Sequence, residues 1–209
     1  MYKVKEIYYT IQGEGFHAGR AAVFCRFSGC NLWSGREEDR ATAICQFCDT
    51  NFWGTDGING GKYSETELVE KIASLWPEEN KSIPFIVCTG GEPALQLDEN
   101  LVSAFQNKGF EVAVETNGTK PLPSNLDWIC VSPKANTEII IHSGDELKIV
   151  IPQEGINPKE FENYTFKHFF VQAMESEQWQ ANTAFAVDFV LRNPHWKLSV
   201  QTHKYLHIP

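Results

Sequence analysis

Short apolar, β-rich runs, several of them separated by helical stretches, constrain this chain more than any other feature. They are AAVFCRF (21–27), PFIVCT (84–89), FEVAVE (110–115), WICVS (128–132), LKIVI (147–151), HFFVQ (168–172) and WKLSVQT (196–202). Runs this dense in apolar side chains and bounded by turn residues read as buried parallel strands. Between them, Ser64 and Glu67 form a capping box, after which Leu68, Val69, Ile72, Leu75 and Trp76 share one helical face. A second helix carries Leu97, Leu101, Val102 and Phe105 and stops at Lys108-Gly109; a third runs from about Ser176 to Arg192, with Pro194 closing it. Strands alternating with helices imply right-handed crossovers and a mostly parallel sheet. A closed eight-unit barrel needs about 250 residues, and this chain has 209. The expectation is an α/β fold, an open or incomplete parallel β/α barrel of about six units. No repeat or linker divides residues 1–209, so one domain is expected, with a cysteine-bearing loop over about 28–54 inserted in it.

In parallel β/α folds, ligands bind at the carboxyl ends of the strands. The residues there are Thr89-Gly90-Gly91-Glu92, Glu115-Thr116-Asn117, Ser132-Pro133-Lys134, Gln172 and Gln201-Thr202-His203. Turn chemistry accounts for the Gly, Asn and Pro. It does not account for two carboxylates, a lysine and a histidine at the ends of apolar strands, which points to a shared site. Hydrophobic residues make up 42% and charged residues 22% of the chain, the balance of a soluble globular protein. No apolar run approaches the roughly 20 residues of a membrane helix. MYKVKEIYYT lacks the apolar core of a signal peptide, so no export, and a cytoplasmic location, is expected. The net charge of −9 argues against nucleic acid or an anionic membrane as a general partner, while leaving room for a small anionic substrate held by local cations.

Six cysteines stand at 25, 30, 45, 48, 88 and 130. Without export, metal or redox use is favoured over disulfides. Cys88 and Cys130 sit in apolar runs and read as buried, inert thiols. The other four form C-x4-C-x14-C-x2-C, a spacing compatible with a structural zinc site and a non-enzymatic binding module. A thioredoxin-like pair at Cys45 and Cys48 is weaker, since no βαβ unit starts there. In AVFCRF, however, Phe24 and Arg26 alternate with Cys25 and Phe27, which turns Cys25 toward a core. Cys30, Cys45 and Cys48 then remain, one short of a closed tetrahedral zinc site. Three thiolates suit a [4Fe-4S] cluster with one open iron.

CTGGEPALQ (88–96), together with these cysteines, resembles the glycine-rich stretch of the radical S-adenosylmethionine superfamily. The superfamily's C-x3-C-x2-C is lengthened here by eleven residues. The inserted NLWSGREEDRATAI reads as a mostly solvated loop that adds length without obvious chemistry. YYTIQGEGFHAGRAAVFCRFSGCNLW, CDT, VETNGT, VSPK and the final VQTHKYLHIP together are similar to the 7-carboxy-7-deazaguanine synthase family, over essentially the whole chain. The resemblance implies a radical lyase that converts 6-carboxy-5,6,7,8-tetrahydropterin to 7-carboxy-7-deazaguanine and ammonia, on the route to the deazapurine of modified tRNA. It implies a 5′-deoxyadenosyl radical that abstracts a hydrogen and later returns it, a ring contraction between the two, and dependence on Mg2+.

By the same resemblance, Cys30, Cys45 and Cys48 would hold the cluster. Gly90, Gly91 and Glu92 would hold the methionine end of S-adenosylmethionine, with Glu115, Asn117, Ser132, Lys134, Gln172 and the backbone of Phe47 completing that subsite. Thr50 would touch Mg2+, much of whose shell must come from the substrate carboxylate and water. Gln12, Gly13, Glu14, Arg26, Thr89, His203 and Pro209 would surround the pterin. Glu14 would accept from its guanidine-like edge and Arg26 would pair with its carboxylate. A flavodoxin- or ferredoxin-type electron donor and a homodimer are further expectations. The alternative within the superfamily is a glycyl-radical-activating enzyme, which must admit a partner polypeptide.

Overall fold

The structure, a computed structural model, describes residues 1–79 and 81–209. Among the described residues the nine strands are β1 (Tyr2–Ile11), β2 (Ala21–Phe27), β3 (Gly61–Tyr63), β4 (Phe85–Gly90), β5 (Glu111–Thr116), β6 (Trp128–Val131), β7 (Ser143–Ile151), β8 (Thr165–Ala173) and β9 (Lys197–Ser199). The helices are α1 (Glu65–Ala73), α2 (Glu99–Asn107), α3 (Trp179–Arg192) and α4 (Thr202–Leu206). All strands join one sheet in the order β3-β1-β2-β4-β5-β6-β7-β8-β9, open at both edges. From β2 through β9 every neighbouring pair is parallel. β1 runs antiparallel to both β2 and β3.

The seven apolar runs are all strands. The sequence reading passed over β1, whose Lys5, Glu6 and flanking tyrosines hide its apolar positions, and the three-residue β3. Helical crossovers are fewer than expected. α1 lies between β2 and β4, α2 between β4 and β5, and α3 between β8 and β9, while irregular segments carry the chain from β5 to β6 and from β6 to β7. Local signals account for the helices that form. The Ser64 hydroxyl accepts from the Glu67 amide and the Glu67 carboxylate from the Ser64 amide, so two orphan donors are satisfied at the start of α1. Leu75 and Trp76 lie past the end of α1 but still pack on the same core. Asp98 caps α2, and Gly109 follows its end with φ +88°.

Period-two alternation then builds the interior. Cys25, Phe27, Ile86, Cys88, Val112 and Val114 turn outward onto Leu68, Ile72, Leu101 and Phe105 of α1 and α2. A second core packs β7 and β8 around Ala186 of α3 and Trp196, which is 1% exposed. The opposite face of β2, β4 and β5 starts with Ala22, Phe24, Phe85, Val87 and Ala113. Continuing along the same face toward the strand carboxyl ends, the next residues are Arg26, Thr89 and Glu115. Each strand is thus apolar at its base and polar at its rim, because alternate residues share a face.

Candidate active site

The polar rim encloses a cavity of about 480 Å3 at the carboxyl ends of the parallel strands. Of the residues that the sequence assigns to cluster, cofactor, Mg2+ or substrate, all but Gly90 and Glu92 line it.

Cys30, Cys45 and Cys48 lie on one wall and interact electrostatically with one another. Burial raises all three thiols, while the Lys134 ammonium opposes that rise at Cys45 and Cys48. Cys25 belongs to the other face of the sheet. It is fully buried beside Cys88 in the outer core, where burial holds its thiol up. This placement removes it from any four-thiol zinc site, and among the described residues no three His, Cys, Asp or Glu side chains converge as on a single ion. Cys88 is likewise a core residue, but Cys130, although buried, faces the cavity.

The glycine pair has a packing cause. A Cβ on Gly90, whose φ is +145°, would fall 2.2 Å from the Phe27 carbonyl oxygen. One on Gly91 would fall 2.3 Å from the Gly29 oxygen and 2.8 Å from the Cys30 Cβ. The two glycines therefore let the chain leading into Cys30 lie directly on the end of β4. Glu92 does not reach the cavity. Fully buried, it accepts from the Ala94 amide at 3.0 Å, the Thr116 hydroxyl at 2.7 Å and the Asn117 amide at 2.7 Å. Burial raises its carboxyl, and the three donors oppose that rise. In this structure it clamps the ends of β4 and β5 together.

Asn117 donates through its amide to the Asn31 side chain at 3.0 Å, tying the rim of β5 to the residue after Cys30. Lys134 folds back onto the Ser132 carbonyl and hydroxyl at 2.8 and 2.7 Å, with its ammonium 5.9 Å from the Phe47 ring centroid. Burial lowers its pKa. Thr50 is close to Asp49, 3.4 Å from hydroxyl to carboxylate.

On the opposite wall, Lys148 of β7 donates to Glu14 and stands 3.6 Å from Glu115. Glu14 also accepts from the Gln172 and Gln201 amides at 3.1 and 3.0 Å. Burial would raise the Glu14 carboxyl, but Lys148 and the amides outweigh it and bring it down to about 2. Burial works against the Lys148 cation too, yet Glu115 and Glu14 hold its pKa well above the ordinary lysine value. Glu115 accepts from Gln12 and from the Thr89 hydroxyl, each at 3.1 Å. Gln172, which lines the same cavity, bridges Glu14 and Ser199, whose hydroxyl donates to it at 2.8 Å. Arg26 gives its Nε to Glu6 at 2.8 Å and its Nη2 to the Tyr8 hydroxyl at 2.9 Å.

The C-terminal segment closes over this wall. The Thr202 amide and hydroxyl both donate to the Gly13 carbonyl at 2.9 Å. A Cβ on Gly13 would lie 2.2 Å from His203 Nδ1, so only glycine permits that approach. Lys204 is paired with Asp49 at 2.9 Å and Glu175 at 3.3 Å, and Thr10 donates to the Pro209 carbonyl at 3.0 Å.

Sequence reading missed Lys148, Glu146, Glu6 and Tyr8. The signal was available for Lys148, a charged residue at an inward position of an apolar strand, which is the pattern that singled out Arg26. Glu146 is 3% exposed, accepts from the Phe16 amide at 3.0 Å and is raised by burial. The insertion after Cys30 is also more than a solvated spacer. It forms a 3-10 turn, Glu37–Thr42, from which Arg40 reaches back to the backbone of the C-x2-C segment.

An open, mostly parallel α/β sheet with a polar cavity across its strand ends defines a small-molecule enzyme of the β/α type. The chain is 56% identical over 209 residues to the 7-carboxy-7-deazaguanine synthase of Burkholderia multivorans, covering 100% of this chain and 99% of the relative. It is 55% identical over 208 residues to the synthase of the same name from Bradyrhizobium diazoefficiens, with 99% of each covered. Its fold is similar to the crystal structure of QueE from Escherichia coli, with TM-score 0.73 and 23% identity over 96% of this chain and 93% of that one. No family model matches the chain. The chain belongs to the 7-carboxy-7-deazaguanine synthase family.

Proposed function

We propose that this protein converts 6-carboxy-5,6,7,8-tetrahydropterin to 7-carboxy-7-deazaguanine and ammonia, as a radical S-adenosylmethionine lyase in queuosine biosynthesis. The observation that carries this reading is the meeting, on one cavity, of three thiols from the cysteine loop with partly buried carboxylates and a guanidinium on the facing wall. The donor set suits the group it must hold: three soft sulfurs face one cavity, and the fourth thiol nearby in sequence is turned into the core.

Cys30, Cys45 and Cys48 would ligate a [4Fe-4S] cluster, with S-adenosylmethionine beside it along Gly91, Asn117, Ser132, Lys134 and the Phe47 backbone. When bound, these groups supply the one-electron chemistry that begins hydrogen abstraction from the substrate. Lys134 places its ammonium between the thiols and the rim of β6, suited to a carboxylate there. Gly90 and Glu92 act from behind, by seating Cys30 and joining β4 to β5.

The pterin end is read from the other wall. Glu14 Oε1 already takes two amide donors, whereas Oε2 takes Lys148, leaving an acceptor direction toward the cavity. Glu115, held by Gln12, Thr89 and Lys148, offers a second. Two anionic acceptors fixed by one ammonium match the N–H-rich edge of an aminopyrimidinone. Arg26 keeps part of its fork for the substrate carboxylate while Glu6 and Tyr8 hold the rest. His203 and Pro209 close the same side. Thr50, with oxygens of the substrate and water, would complete a Mg2+ site.

Residues 1–209 act as one catalytic unit in an incomplete radical S-adenosylmethionine barrel. A flavodoxin- or ferredoxin-type donor supplies the electron. Open sheet edges and the exposed Phe185 and Leu191 of α3 suit a homodimer. No described helix is long and apolar enough to cross a membrane. The test is anaerobic turnover of the carboxypterin by reconstituted protein with S-adenosylmethionine, Mg2+ and a reductant. Formation of 7-carboxy-7-deazaguanine is expected; a fully loaded protein that makes none would defeat the reading.

A further inference from the structure

The residues from Gln46 to Thr50 adopt no regular secondary structure, so the backbone of the C-x2-C turn must be held from outside. A side chain of the insertion reaches it. Arg40 Nη1 donates to the Gln46 carbonyl at 2.7 Å and to the Cys48 carbonyl at 3.1 Å. Its Nε donates to Glu37 at 2.7 Å. The guanidinium lies 4.1 Å from the centroid of the Trp33 ring, and that ring packs edge-on against Phe52, which is 1% exposed. Trp33 is fixed in turn by donating its indole N–H to the Arg36 carbonyl at 3.1 Å.

The outgoing and returning ends of the insertion are stitched together in the same place. The Ile44 and Cys45 amides both donate to the Leu32 carbonyl, at 3.0 and 3.3 Å, and the Gln46 side chain donates to the Ala41 carbonyl at 3.1 Å. A guanidinium over the indole, with Nη1 on two carbonyls two residues apart and Nε on Glu37, is a fixed planar fork whose shape a flexible ammonium does not impose.

We propose that Arg40 is a positioning residue of the cysteine site: its guanidinium sets the C-x2-C turn so that Cys45 and Cys48 face the cavity with Cys30. The fourteen residues between Cys30 and Cys45 are on this account part of the metal site. The inference rests on the reading that these thiols bind an iron–sulfur cluster.

The experiment compares wild type, Arg40→Met, Arg40→Lys and, as a control on the same turn, Glu38→Ala. After anaerobic reconstitution, iron and sulfide per chain are measured, then the rate of iron loss to a chelator, then the thermal midpoint. Wild type and Glu38→Ala are expected to load and retain the cluster alike. Arg40→Met keeps an apolar stem on Trp33 but has no donors, and is expected to lose iron at least about 10-fold faster. Arg40→Lys, with the charge but not the fork, is expected to fall between. Arg40→Met retaining iron like wild type would overturn the proposal. If Arg40→Met fails to fold, Arg40→Lys carries the decision: faster loss supports the fork, and wild-type retention overturns it. A wild-type chain that loads no cluster at all would defeat the functional reading itself, and the proposal with it.

Discussion

Lys148, in the middle of an apolar strand, holds its ammonium between two carboxylates, bonded to Glu14 and 3.6 Å from Glu115. The three come from β7, the loop after β1 and β5, so this pairing joins distant parts of the sheet across the cavity. Replacing Lys148 with Met leaves two partly buried carboxylates without their cation. Removing one partner of a fully buried pair costs about 3–5 kcal/mol, and partial exposure of the carboxylates reduces this to about 1–3 kcal/mol. Lys148→Met is expected to lose stability of that order in urea denaturation, and Lys148→Arg to recover part of it. Among folded variants, KM for the carboxypterin is expected to rise more than kcat falls.

Acidification tests the same pair. The Glu14 carboxyl lies at about 2 in the folded chain, below its unfolded value of about 4.3. Its contribution is therefore fully present above the unfolded value and is lost as pH falls through the folded one. Wild type is expected to lose on the order of a few kcal/mol more than Glu14→Gln between pH 5 and pH 2. Parallel denaturation curves at each pH measure the difference; equal slopes would show that Lys148 does not hold the carboxylate ionised.

Gly91→Ala puts a methyl group where the Gly29 carbonyl and the Cys30 Cβ now sit. Backbone cannot yield as a flexible side chain does, so Cys30 must move. Iron retained after reconstitution is expected to fall well below the wild-type content while the far-ultraviolet circular dichroism is kept.

Cys25 lies in the outer core, whereas Cys45 lines the cavity. Cys25→Ala opens a small cavity under α1 and α2, costing about 1–2 kcal/mol, and is expected to leave iron content near normal. Cys45→Ala is expected to abolish iron loading with little change in stability. Equal loss of metal in both would restore the four-thiol site.

Lys204 ties α4 to Asp49 in the cysteine loop and to Glu175 past β8. Both pairs are partly exposed, so Lys204→Met is expected to change stability by under about 1 kcal/mol. The strap it fastens covers the cavity, however, and faster amide exchange over residues 202–209 with a raised substrate KM is expected. Unchanged exchange would show that Thr202 and Gly13 suffice to hold the strap.

Much of this was legible in the chain itself. The apolar runs named all seven parallel strands, and Ser64, Glu67 and Gly109 marked helix ends, because those signals are local. Alternation in AVFCRF was enough to separate Arg26 from Cys25. Lys148 escaped notice because its meaning lies in what faces it, and its partners are supplied by β5 and by the loop after β1. For the same reason, the hydrogen bonds that Glu92 takes from Ala94, Thr116 and Asn117 could not be read from the GGE stretch itself.

What the residues alone determined was which side chains stand at the strand ends and which thiols could be free to act, since period and spacing are properties of the chain. Only the tertiary structure decided the partners of each charge and the use of Arg40. Ion pairs and carbonyl contacts depend on through-space distances between segments far apart in sequence, and spacing carries no record of those.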